Sequence, residues 1–205
     1  MTSAPLPAHP AAQSKYQVRF DWGVDGAERI AAGADVVVVV DVLGAQRHTV
    51  LGAGEQAELD SQQDALLAAL PPQAAVLSAG FGTASAAARW ITEQQHALGR
   101  RAMIAIVAAG GVADGEAAGS GIRFAVEDQL AAGALIDALA TLGIDFCSPE
   151  AAASCAAFTG LRGAVAHLLT ASASAQQLMA AGVDAGAIRA AGALDTGDAV
   201  TILRG

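Results

Sequence analysis

Aromatic side chains are scarce, 4% of 205 residues, although 54% of the chain is hydrophobic. Its core must therefore be assembled from Ala, Val, Leu and Ile, residues small enough for helices to pack closely on a sheet. Basic residues are scarce too: 11 Lys and Arg stand against 20 Asp and Glu, a net charge of -9. Nucleic acid and anionic membrane surfaces call for a basic face, so neither is expected as a main partner. A site for an anionic substrate would need a metal, helix N-termini or local arginines. The two cysteines, Cys147 and Cys155, read as buried small apolar residues rather than a disulfide or a metal pair. No uninterrupted run of about 18 apolar residues occurs, so no membrane span is expected. Residues 1–15, with Pro5, Pro7 and Pro10, read as a disordered tail lacking the basic and apolar regions of a signal peptide. The compartment this implies is the cytoplasm, and residues 16–205 are expected to form a single domain.

What the chain does have is the run Val36–Val40, five valines between Asp35 and Asp41. Neither helical period nor simple alternation is present, which is the pattern of a strand buried on both faces. Strands alternate with helical segments over the rest of the chain. Tyr16–Trp22, Ala74–Ala79, Ala102–Ala108 and Ala199–Arg204 read as further strands, with a short one expected at Ile144–Phe146. Helices are expected over 62–70, stopped by Pro71 and Pro72, over 86–98, in the stretch that begins at Phe124 with Glu127 and Asp128 at the helix start, after the Ser148-Pro149 start, over 172–181, and as a short helical turn over 184–191. The segment 164–169, which carries His167, fits strand or helix. This order predicts an α/β fold, a three-layer α/β/α sandwich around a largely parallel or mixed central sheet.

Ligands in such sheets sit at the carboxyl ends of the strands, which is where Asp41 falls. The competing reading is that Asp41 only caps the helix expected after Leu43. The turn Gly80–Ser85 leads from a strand into a helix N-terminus, a ready place for an anion though a common one. The loop 109–123 contains glycine at 110, 111, 115, 119 and 121; long glycine-rich loops divide between functional and merely loose. Glu127 and Asp128 open the next helix. They suit the positive end of its dipole, and they also suit a hard divalent cation.

The blocks Val38-Val39-Val40-Asp41-Val42-Leu43, Val126-Glu127-Asp128-Gln129-Leu130-Ala131-Ala132-Gly133-Ala134 and Ser148-Pro149-Glu150-Ala151 resemble the 2-phosphosulfolactate phosphatase (ComB) family. The opening Val18-Arg19-Phe20-Asp21-Trp22-Gly23 is similar as well, so the resemblance runs from about Tyr16 to the end. It implies a Mg²⁺-dependent phosphatase acting on 2-phosphosulfolactate or a related small anionic phosphoester, in the synthesis of sulfonated metabolites such as coenzyme M precursors. Carried onto this chain, it implies Asp41 and Glu127 as catalytic residues and Asp41, Glu127 and Asp128 as Mg²⁺ ligands. Phosphate would be held by Arg47, Thr49, Gly82, Thr83, Ser85 and Arg123. A homodimer is allowed but not indicated.

The family's first motif reads Asp-Val-Leu-Arg-Ala-Thr-Thr-Thr, whereas this chain has Asp41-Val42-Leu43-Gly44-Ala45-Gln46-Arg47-His48-Thr49. Glycine replaces the arginine, one threonine remains, and the 52–72 segment is short. Losing a bidentate phosphate-binding arginine removes a strong charge-assisted contact. The alternative expectation is therefore a catalytically impaired paralogue that binds an anion or a metal without turnover.

Overall fold

The computed structural model describes residues 9–111 and 122–205. Four parallel strands, β1 (Val18–Trp22), β4 (Ile104–Ala108), β2 (Val36–Val40) and β3 (Ala75–Ala79), lie side by side in that order. A short antiparallel strand, β5 (Thr201–Arg204), pairs with β3 at the far edge. The sheet is mixed, as expected, and covered on both faces.

The valine run shows why. Val36, Val38 and Val40 point into one core with α4 (Ala84–Leu98) and α5 (Val126–Thr141). Val37 and Val39 point into the other, with α1 (Gly23–Ile30) and α3 (Ala53–Ala69). All five are buried, so each successive side chain finds an apolar layer, as a central parallel strand requires. At the amino end of β2, Asp35 takes a two-point grip from Arg100 at 2.6 and 2.8 Å and accepts from the Met103 N–H at 2.8 Å. That grip holds its carboxyl below the usual range and ties β2 to β4.

The remaining helices thicken the α5 layer. α6 (Pro149–Leu161) packs on α5, and α2 (Gly44–His48), α7 (Val165–Ala171), α8 (Ala173–Ala180) and α9 (Ala185–Ala191) gather round a smaller cluster of Leu43, Leu169, Ala175, Leu178 and Ile188. The segment 164–169 is thus helical. Pro149–Ala180 is long and apolar enough in composition for a membrane span, with a mean hydropathy of 1.2. It is broken, however: a 3-10 turn separates α6 from α7, and Ser172 is extended (ψ 152°) as the N-cap of α8. Each piece falls short of the about 20 residues a crossing helix needs.

Three expectations are corrected. Residues 9–15 are placed, not a tail: Gln13 is buried, and its amide both donates to Phe20 O (2.9 Å) and accepts from Phe20 N (3.0 Å). It thereby covers the free edge of β1; residues 1–8 lie outside the described part. Ile144–Phe146 is not a strand, because only Cys147 makes a parallel bridge to Val18 before Ser148 caps α6. The helix before Pro71 starts at Ala53, well ahead of residue 62.

Candidate functional site

β2 and β4 are neighbours, but the chain leaves them toward opposite layers, β2 to α3 and β4 to α5. A crevice at such a switch point is where α/β sheets bind ligands. Here Asp128, from the first turn of α5, reaches into it. Its Oδ1 accepts from Val42 N and its Oδ2 from Gly110 N, both at 2.9 Å. The carboxyl therefore clamps the ends of both strands. Burial, then the charges of Asp41 and Glu127, push its pKa up to about 8, against the two amide bonds that favour the anion.

Asp41 stands one residue before that clamp. Its Oδ2 receives Arg47 Nη2 from α2 at 2.5 Å, and its Oδ1 is buried without a partner. The carboxylate lies directly over Gly44, where a Cβ would come 2.5 Å from Oδ2. Glycine at 44 is thus what allows Asp41 to turn back toward Arg47, and a larger side chain could not stand here without moving it. Asp41 makes no cap to α2, whose N-cap Leu43 offers no side-chain bond.

Glu127 is 2% exposed and neither of its oxygens has a hydrogen-bond partner. The influence of both Asp41 and Glu127 on Asp128 places the three acids in one neighbourhood. They do not make a Mg²⁺ site in this arrangement. Both Asp128 oxygens already serve backbone N–H groups, Arg47 holds Asp41, and no group of three His, Cys, Asp or Glu among the described residues could hold a metal ion.

The expected phosphate ligands disperse. The Gly80–Ser85 turn is a 3-10 turn over Phe81–Thr83 leading into α4, but a carboxylate of the chain itself fills its anion position. Asp195 Oδ1 accepts from Ser85 N at 3.0 Å, Asp195 N donates to Phe81 O, and Gly197 N donates to Gly82 O. Asp195 holds a left-handed backbone (φ 49°) to do so. Thr83 Oγ1 accepts from Gly80 N inside the turn. Thr49 is bound to Gln46 O at the end of α2. Arg123 donates to Ser174 Oγ of α8 at 2.7 Å, its guanidinium lying over Gly111, and residues 112–121 of the glycine loop lie outside the described part. Arg47 alone of the expected arginines is joined to Asp41.

Beside Asp41 a cleft of about 300 Å³ opens between the ends of β2 and β3, large enough for a small ligand. Gln46, Ser78, Gly82, Thr83 and Thr201 contribute polar atoms and α9 one apolar wall. Sequence reasoning did not single out Gln46, Ser78, Thr201 or Asp195. Only Asp195 carried a signal, an Asp-Thr-Gly turn composition. A scan against protein-family models gives no match, and neither does a search of curated proteins.

Proposed function

We propose that this chain binds a small anionic phosphoester in the cleft beside Asp41 and has little or no Mg²⁺-dependent turnover. The observation that carries the reading is the Asp41–Arg47 pair at the edge of a cleft at the carboxyl ends of β2 and β3. Arg47 pairs with Asp41, which lines the cleft, and an incoming phosphoryl group would have to draw its fork of donors away from that carboxylate. Ser78, Thr83 and Thr201 offer hydroxyls to the remaining oxygens. Phosphoryl transfer needs the developing charge neutralised, and three nearby carboxylates with one arginine supply little of that.

The phosphatase reading keeps one support of its own. Glu127 and Asp41 Oδ1 are buried and unpartnered, an arrangement costly enough to call for a compensating group. One set of experiments separates the readings. Calorimetric titration with inorganic phosphate and with 2-phosphosulfolactate, with and without Mg²⁺, should give affinities of about 10 µM to 1 mM. Arg47→Gln should weaken them about tenfold or more. Phosphate release that requires Mg²⁺ and disappears in Asp41→Asn would establish the phosphatase instead. Neither binding nor release would overturn both.

A further inference from the structure

A second and larger cavity, about 410 Å³, lies away from Asp41 between α4, α5 and α6. We propose that it binds an apolar α-amino acid as the zwitterion, through Arg89 on one side and Asp137 on the other. This proposal does not rest on the phosphoester reading.

The floor is apolar: Ala84, Ala88 and Ala134 from the facing helices, with Phe158 of α6 at the base, 1% exposed. Helices faced with alanine leave room here that larger side chains would fill. Charged groups of both signs line it: Arg89 of α4, Asp137 of α5, Arg162 and Asp195. Among the described residues Arg89 has one acidic neighbour, Asp198 at 3.8 Å, whose side chain is itself fully exposed. Asp137 approaches Arg162 at 3.6 Å. Both separations exceed hydrogen-bond length, so the guanidinium of Arg89 and the carboxylate of Asp137 keep donors and acceptors to offer. Arg162 lies over the Phe158 ring at 5.2 Å and closes one wall.

The amino end of α4 is already taken by Asp195, so a ligand carboxylate is left to the Arg89 guanidinium. The carboxyl end of α5, at Thr141 and Leu142, lies beyond Asp137 and favours an ammonium there. An α-amino acid joins these two charges through one carbon and lays its side chain on the alanine floor. A simple anion also meets the carboxylate of Asp137, and a simple cation also meets Arg89 and Arg162.

The test is calorimetry on the full chain with L-leucine and L-phenylalanine as probes. Saturable binding of either is expected, with N-acetyl-L-leucine and L-leucinamide at least about tenfold weaker. Arg89→Gln and Asp137→Asn should each weaken binding by about tenfold at an unchanged melting temperature. Ala138→Leu, which narrows the mouth without touching a charge, should also weaken it. The proposal is overturned if neither amino acid binds, or if the blocked analogues bind as tightly. Displacement of a bound amino acid by inorganic phosphate would move it to the Asp41 cleft and overturn the proposal equally.

Discussion

Asp128 sits where two strands end, and its carboxyl keeps a proton on folding that the unfolded chain gives up. An unfolded Asp titrates near about 3.9, whereas burial and the charge of Asp41 move the folded value up to about 8. Between those limits the folded state holds more protons, so this group's contribution to stability is greatest at the acid end and falls as pH rises toward 8. Urea unfolding at intervals from pH 5 to 8 should show that decline. Asp128→Asn should flatten it and also lower stability by about 1–3 kcal/mol, because an amide can accept from only one of Val42 N and Gly110 N. A slope unchanged in the variant would assign the pH dependence elsewhere. Arg19 illustrates the same economy in the opposite charge. Its buried guanidinium caps the end of α1 through Ile30 O and Ala32 O and also binds Ser14 O and Tyr16 O. Burial lowers its pKa, and four carbonyls rather than a carboxylate hold it.

The strands were legible because their periods are local: a run of valines buried on both faces admits one reading, and β1 to β4 follow it. The helix starts at Ser148, Ser172 and Asp184 were equally plain, since each side chain bonds the N–H three residues on. The acidic block of α5 was read for chemistry, and much of it is explained by packing. Gly133 faces α6 so closely that a Cβ there would come 2.2 Å from Ser154 O, with Ala131 and Ala132 buried beside it. Ser154 in turn donates to Gln129 O. Backbone cannot retreat as a side-chain tip can, so Gly133→Ala should cost about 1–3 kcal/mol or more in chemical denaturation. Melting at the wild-type temperature would mean that α5 and α6 separate easily. What the sequence concealed was nonlocal: that Asp195, 110 residues from Ser85, would take the anion position of α4. No pattern along the chain records which carboxylate arrives at a helix end from so far away.

The last part of the chain closes the molecule. From Asp195 it crosses the turn before α4, pairs Gly197 with Gly82, and runs as β5 along the edge of β3. Arg204 then anchors it, donating to Leu67 O at 3.1 Å and Pro71 O at 2.6 Å near the end of α3. One short segment thus shields a sheet edge, walls the Asp41 cleft with Thr201 and lines the second cavity with Leu194 and Asp195. An exposed parallel-strand edge is a template for pairing between chains, so a chain ending after Asp198 should associate with itself in size-exclusion chromatography. It should also bind phosphate more weakly, because the Thr201 wall is gone, while amino-acid binding persists because Asp195 still caps α4. Arg204→Ala makes a gentler version, losing about 1–3 kcal/mol of stability with the cleft intact. If the truncated chain stays monomeric with unaltered phosphate affinity, β5 is an ornament of the sheet rather than its border. The Asp41 cleft would then owe its shape to β2, β3 and α9 alone.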